Sequence, residues 1–581
     1  MSASRVLGRA AVSTRLAPVA LFALAIAGCV LPDYQKVQSR VAGTGDDGGT
    51  SGAPGVTTMY INVAPSRLLD LVFMIDNSTD MPPKVAKMNA QFPKLIAALK
   101  HPYDGTLPDL RIAIIDSDLG TGAAYSTGSC APKPLSDGTI SNFGDLGRFQ
   151  MLNYPAACTF NAGSLYLEYK SGHPLNFTGD LNTVFACLAG NLGGLGCGEE
   201  HQLQAFEFAI AARGIGNETQ QQMLRGDAVL GLVFLTDEDD CSAATNDRLF
   251  GDKTDLHGES ASLRCATRAH KCGGINFLSA NYPTTTAYEH PFADCQARMG
   301  DECSGSVDTS VPTSCNPLKS VATLADEIKN LKADPSGQIV VAGIFGWPLS
   351  EADMAAAKYK IAPIPNPNPS DTSHPTIYDY WPVCYDPNHM PSASSMDPAT
   401  GFDPTAAGWG AAGGLRESAY IDEFGANGLK FSICQPDFSQ SMKAIGDALA
   451  RKLPNLCLDS KLQDTNLTTP GLQPDCRVVW RIPSIDPSDS TKLVYTDGTT
   501  PLAQCPAGAT SGGVTADCWQ LLQDATKCPV SGQLVTALRT AQEIASAPQL
   551  APGTQLSLQC RTCDTTSTLD PSSATYQACN Y

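Results

Sequence analysis

The stretch that decides the fold is Leu69-Asp70-Leu71-Val72-Phe73-Met74-Ile75, followed at once by Asp76-Asn77-Ser78-Thr79-Asp80. A nearly continuous apolar run of this length, broken only by Asp70, suits a strand buried on both faces, as in a parallel sheet. Just downstream, Val85, Met88, Phe92, Ile96 and Leu99 recur at helical spacing, with Lys84, Lys87 and Lys94 between them. A strand feeding a helix is the opening unit of an α/β sheet. In such sheets ligands gather at the carboxyl ends of the strands, and Asp76 stands at that end.

Working outward, the same alternation continues. Strands are predicted at 111–115, 228–235, 338–344 and 429–434, with helices over 202–213 and 324–331. Met442, Ile445, Leu449 and Leu453 mark a closing helix, with Asp437 as its N-cap. The predicted fold class is α/β, a doubly wound, mostly parallel sheet. Two long interruptions break it. Residues 242–320 hold five cysteines, and residues 346–425 are rich in Pro, Gly, Asn and Ser. Loops this long are commonly functional or cross-linked. Within the second, Tyr378 to Cys384 form an aromatic cluster, read as packing of the loop or as a binding patch. Beyond Leu453 the pattern changes. Residues 456–581 carry eight cysteines and short strand-like pieces at 477–482 and 492–495, so a small disulfide-rich, mainly-β module is expected there. That leaves residues 61–455 for the main domain.

The chain has 581 residues, a formal charge of −19 and 21 cysteines. Charged residues are 17% and hydrophobic residues 43%, which excludes a disordered acidic polymer. The acidic balance argues against a nucleic-acid binder, which usually needs a basic patch. So many cysteines argue for an oxidising compartment. The amino terminus agrees. Arg5, Arg9 and Arg15 precede an apolar run over 16–27, too short to span a bilayer, that ends in Ile26-Ala27-Gly28-Cys29. Small residues before a cysteine resemble a bacterial lipobox; the alternative is an ordinary cleavage site. The expectation is a signal peptide over 1–28 and a lipid on Cys29. A Gly-rich spacer over 42–58 then makes 29–60 the anchor and linker. Cys560 and Cys563 form an isolated CxxC, read as structural among so many neighbouring cysteines.

Chemistry concentrates at two strand ends. Asp76, Ser78 and Asp80 place oxygens at alternate positions, and hard cations take such ligands. The strand at 228–235 ends in Thr236-Asp237-Glu238-Asp239-Asp240. If that strand neighbours the first, Asp237 lies beside Asp76, and a divalent cation would relieve the repulsion of the clustered carboxylates. Glu238, Asp239 and Asp240 read as further ligands or as a solvated acidic loop. Asp116 and Asp118 line the same edge.

Together these segments resemble the von Willebrand factor A domain, and the lipobox and cysteine-rich segments resemble bacterial envelope lipoproteins that carry it. The resemblance implies a metal-ion-dependent adhesion site with Mg, Ca or Mn held by Asp76, Ser78, Asp80 and Asp237. An acidic residue of a protein or cell-surface partner would complete the metal shell. The family has Ser where this chain has Asp80. It also draws a threonine from a loop that here reads Gly196-Cys197-Gly198-Glu199-Glu200, so Glu199 or Glu200 would be the nearest oxygen donor, and Cys197 is expected in a disulfide. These extra acids open the alternative of a saturated, structural metal. No HExxH, GxSxG or P-loop is present. His201 at a helix start reads as a surface or capping residue. The function expected is therefore not enzymatic. It is that of a lipid-anchored envelope protein, on the outer membrane given Val30 after Cys29, that binds a partner. The alternatives are a purely structural, disulfide-stapled envelope protein, or an extracellular hydrolase using two carboxylates at the acidic edge.

Overall fold

In the computed structural model of the chain, the described residues run from 56 to 563. They exclude several internal stretches, the longest being 251–262, 274–287, 301–317 and 543–553. The signal segment, Cys29 and the greater part of the spacer lie outside them.

The strands and helices that position the site are, in chain order, β1 (Val56–Asn62), β2 (Leu68–Ile75), α1 (Pro82–Ala98), β3 (Asp109–Ile115), β4 (Leu167–Lys170), α2 (Leu181–Gly190), α3 (Gln202–Phe206), β5 (Val229–Leu235), α4 (Val321–Lys329), β6 (Ile339–Phe345), α5 (Leu415–Asp422), β7 (Gly428–Ser432) and α6 (Ser439–Lys452). The main sheet runs in the order β7, β6, β5, β2, β3, β4, and the short strand His173–Pro174 closes its far edge. Neighbours from β7 to β3 are parallel, while β3 and β4 are antiparallel. All five predicted parallel strands are present. The antiparallel edge was not foreseen, because Leu167–Lys170 is short and only its first residue is fully buried.

Strands β5 and β6 are buried along their whole length, and β2 over all but its first residue. Such strands need cover on both faces. Helices α1, α2 and α6 pack together as one layer, and α3, α4 and α5 as another. The helical stripe read from the sequence is the buried face of α1, with Val85, Met88, Phe92, Ile96 and Leu99 all in the core. Phe92 stacks on Phe185 at 3.8 Å, and Phe73 meets Phe185 edge-on at 4.9 Å. Gly231 in β5 lets α6 approach; a Cβ there would lie 2.5 Å from Leu71 Cδ2 and 2.8 Å from Leu449 Cδ2.

The acid inside β2 has a specific partner. Asp70 is fully buried and receives the Arg225 backbone N–H at 2.7 Å and its Nε at 2.9 Å. Burial pushes its carboxyl up, and Arg225 opposes that.

The C-terminal region builds its own sheet from β8 (Cys476–Asp486), β9 (Asp489–Asp497) and, beyond the hairpin of β10 (Gly512–Gln523) and β11 (Gln533–Thr540), β12 (Gln555–Arg561). Its core gathers Met59, Val478, Trp519, Val535, Leu556 and Leu558. Strand β1 pairs with β12, Met59 opposite Leu558. The linker predicted up to residue 60 therefore ends earlier, because Val56 to Asn62 supplies an edge strand and a core methionine. Each described disulfide stays on one side of residue 455. Cys560 bonds Cys476 rather than Cys563, which makes it structural.

Substituting Arg225→Met leaves the Asp70 carboxylate buried without its counter-ion. Removing one partner of a buried pair costs about 3–5 kcal/mol. Urea denaturation with disulfides intact is expected to show that loss; a change below about 1 kcal/mol would remove the pair from the stability argument.

Candidate functional site

Register brings the two acidic strand ends together. Met74 lies opposite Phe234 and Ile75 opposite Leu235, and the Asp76 N–H donates to the Leu235 carbonyl at 3.0 Å. Asp76 Oδ1 accepts from the Ser78 N–H at 2.8 Å, and its Oδ2 from Thr236 Oγ1 at 2.7 Å. Ser78 Oγ donates to Asp80 Oδ1 at 3.3 Å. Asp76, Ser78, Asp80 and Asp237 thus share one edge, as the sequence implied.

A residue the sequence reading left on a helix surface completes the group. Lys84 is the third residue of α1, and helix side chains lean toward the amino terminus. Its side chain therefore reaches back over the strand ends. Lys84 Nζ contacts Asp80 Oδ2 at 3.1 Å and also pairs with Asp237 Oδ2. Only 1% of Lys84 is exposed. Burial pushes its ammonium down, but Asp237 and Asp80 outweigh that and hold it above the usual lysine range. Burial likewise raises Asp80, and Lys84 brings it below its ordinary value. Asp237 goes well up, through burial and then the charge of Asp80. A cation at a helix amino terminus opposes the macrodipole, so these carboxylates are what keep it there. The sequence signal was the Asp80-to-Lys84 spacing of four.

A divalent cation does not fit this arrangement. Oxygens of Asp80 and Asp237 already face an ammonium. A doubly charged ion about 4 Å from that ammonium meets roughly 8 kcal/mol of repulsion at an effective dielectric constant of 20. Among the described residues, the one trio of metal-ligating side chains with donor atoms within 4.8 Å is Glu199, Cys241 and Cys265. Those two cysteines form a disulfide, so they offer no thiolate.

The two acids proposed as extra donors are otherwise engaged. Glu199 Oε2 lies 3.1 Å from Cys265 Sγ. Glu200 Oε2 accepts from Ser117 Oγ. Burial and then the charge of Asp76 push Glu200 well up. Their loop is pressed against the first strand end, where a Cβ on Gly196 would fall 1.8 Å from Asn77 Oδ1. Cys197 is bonded to Cys130. Asp116 accepts from Asn77 Nδ2 at 2.9 Å, and Asp118 Oδ1 from the Gly120 N–H at 3.0 Å, so both line the edge.

The acidic run after β5 is not a solvated loop. Asp239 and Asp240 are buried. Asp240 Oδ2 accepts from Arg416 Nε at 3.0 Å, while the Arg416 guanidinium also donates to the carbonyls of Arg298 at 3.0 Å and Lys319 at 2.7 Å. Asp239 pairs with His270. These contacts bolt both long interruptions to the sheet edge. Glu417 sits beside them, fully buried and hydrogen-bonded to Asp239, and burial followed by the charge of Asp239 pushes it well up. His201, expected at the surface, is 1% exposed and lies 5.5 Å from the Phe250 ring. Phe250, from the first long interruption, helps to enclose it.

The segment after β6 roofs the edge. Ala412 N–H donates to the Asp237 carbonyl at 2.8 Å. Beneath lies a pocket of about 460 Å³ whose walls include Asp80, Asp237, Glu238, Asp379, Tyr380 and Phe402. The aromatic cluster mainly packs the roof. Tyr380 stacks with Tyr359 at 6.4 Å, Trp381 meets Phe402 edge-on at 5.2 Å, and Cys384 bonds Cys434.

No family model and no curated protein matches the chain. Among solved structures it is similar to the pilus adhesin SpaC from Lactobacillus rhamnosus GG in its open conformation, at 10% identity and a TM-score of 0.24, covering 90% of this chain and 43% of that one. Human COPII-coat protein Sec24c aligns at 9% identity and 0.25, covering 89% and 48%. A von Willebrand factor type A protein from Catenulispora acidiphila aligns at 8% and 0.21, covering 87% and 60%. The chain thus spans under half the length of the first two. At such scores these overlaps carry no argument about function, and the fold rests on the strand order above.

Two outcomes follow from the site. Lys84→Met is expected to lower stability by about 3–5 kcal/mol, since it removes the counter-ion of the buried Asp237 carboxyl and leaves it facing the half-buried Asp80. Its melting temperature should rise with Mn²⁺, whereas that of the native chain should ignore both Mn²⁺ and EDTA. Second, Glu417 keeps its proton in the folded chain above its ordinary value of 4.5, where the unfolded chain has lost it. The folded state then binds more protons, so stability falls as pH rises from about 4.5 toward neutrality. Raised Asp76, Asp145, Glu200 and Asp237 act the same way, while depressed His201 opposes them across its own range. Glu417→Gln should flatten the fall by up to about 1.4 kcal/mol per pH unit in urea titrations. An unchanged slope would contradict it.

Proposed function

We propose that this chain is an exported, disulfide-stapled envelope protein that recognises a protein or surface partner at the roofed carboxyl edge of its sheet. It acts as a binding protein rather than a catalyst. The observation that carries the reading is the pocket of about 460 Å³ over Asp80 and Asp237, formed where parallel-sheet proteins hold ligands. Disulfides inside the first long interruption, from the second to the end of β7, and in the C-terminal region support an oxidising address. Lipid on Cys29 would tether the chain, and no helix among the described residues is long and apolar enough to cross a membrane.

Recognition here is independent of metal, in contrast to the adhesion-type site that the resemblance implies, because Lys84 supplies the positive charge. The partner's acidic group that would have capped a metal loses its role, since it would face Asp80, Glu238 and Asp379. The purely structural alternative shares the lysine but gives the pocket no occupant.

Sedimentation of the full chain with cell-envelope preparations separates the two. Ala407→Trp and Asn366→Trp each fill the pocket from a different wall and are expected to weaken association about tenfold or more, while EDTA changes nothing. Association that survives both substitutions would leave the structural reading.

A further inference from the structure

We propose that Glu199 is the base that takes the thiol proton when the Cys241–Cys265 disulfide closes, the cross-link that fixes the first long interruption to the sheet edge. Glu199 Oε2 lies 3.1 Å from Cys265 Sγ and 3.7 Å from Cys241 Sγ. Glu199 is 4% exposed, Cys265 2% and Cys241 0%. A disulfide sulfur has no proton to donate, so in the closed form this contact is no hydrogen bond. In the open form each sulfur is a thiol, and the same carboxylate stands where its proton must leave. Among the described residues, Glu199 is the one Asp, Glu or His grouped within 4.8 Å of both sulfurs. Its loop is bonded to the chain it serves. The Cys241 N–H donates to the Glu200 carbonyl at 2.7 Å, and the Cys130–Cys197 disulfide holds the same loop.

The thiolate, not the thiol, attacks a disulfide. An ordinary thiol is only about 1% ionised at about pH 6.5, and burial makes a lone thiolate harder still to form. Passing the proton to Glu199 leaves the net charge of the enclosed site unchanged. The oxidant is a small-molecule disulfide, RSSR, of the glutathione kind. Its first exchange turns the Cys241 thiol into a mixed disulfide, Cys241–S–S–R, and releases one RSH. Cys265 then gives its proton to Glu199 Oε2, and its sulfur bonds to Cys241 Sγ. The bond from Cys241 to SR breaks, and the departing RS⁻ takes the proton from Glu199 as the second RSH. Two cysteine thiols are oxidised, RSSR is reduced to two RSH, and Glu199 ends as it began. The new bond joins the residue after Asp240 to the segment leading into His270, the partner of Asp239. The base therefore acts on the link that seats the support of the roof.

The test is oxidative refolding of the reduced full chain in oxidised and reduced glutathione, from about pH 6.5 to about pH 9. Samples are quenched with N-ethylmaleimide, and mass spectrometry follows the peptides holding Cys241 and Cys265. The Cys272–Cys295 pair of the same interruption is the internal reference, because Cys295 Sγ faces the Pro291 carbonyl at 3.7 Å, which takes up no proton. Glu199→Gln is expected to slow Cys241–Cys265 closure about tenfold or more at about pH 6.5. The deficit should shrink toward about pH 9, where thiols ionise unaided. Cys272–Cys295 should close at an unchanged rate throughout. Equal closure of Cys241–Cys265 in the native chain and in Glu199→Gln would overturn the proposal. A slowing shared by Cys272–Cys295, or one independent of pH, would overturn it too, since Glu199 would then shape the fold without taking a proton.

Discussion

The ion pairs that Lys84 makes with Asp80 and Asp237 decide how this molecule can work. Parallel strands deliver carboxylates to one edge, because turn-forming acids cluster where strands end and helices begin. Asp76 and Asp237 are neighbours by register. An edge of this kind needs positive charge, and a bound metal is one solution. This chain carries another within itself. The first turn of α1 places an ammonium at the edge, and burial makes that ammonium difficult to displace.

From that constraint the remainder of the edge follows. A metal centre that recruits a partner must be open to it. Here the segment between β6 and β7 covers the strand ends, and its own backbone bonds to Asp237. The cover is held from below by Arg416, which reaches Asp240 and the carbonyls of Arg298 and Lys319. One buried guanidinium therefore ties three parts of the chain at a single point. The disulfide Cys272–Cys295 fastens one covering segment from within, and Cys384–Cys434 ties the other to the end of β7. What remains accessible is a walled pocket with an acidic side, rather than a bare coordination position.

Much of this was legible in the amino-acid order, for physical reasons. Apolar runs bounded by turn residues gave the five parallel strands, since burial on both faces leaves a strong signal. The spacing of Val85 to Leu99 gave the buried face of α1. The proximity of Asp76 and Asp237 followed once two strand ends were seen to be acidic. Lys84 escaped because a lysine between apolar helical positions reads as solvent-facing; its burial depends on Asp237, which is 153 positions away in sequence. Asp239 and Asp240 escaped for the same reason. An acidic run looks solvated until Arg416, far along the chain, is folded over it. Strand β1 was hidden in a Gly-rich context, and its partner β12 lies at the opposite end of the chain. Long-range pairing of charges and strands is what local periodicity does not encode.

The central claim is that an ammonium, rather than a divalent ion, neutralises the acidic edge. A crystal of the full chain soaked in MnCl₂ and measured for manganese anomalous scattering tests it most directly. The expected map shows Lys84 Nζ between Asp80 and Asp237 with no anomalous peak there. A manganese peak bonded to Asp76, Asp80 or Asp237, with Lys84 turned away, would contradict it.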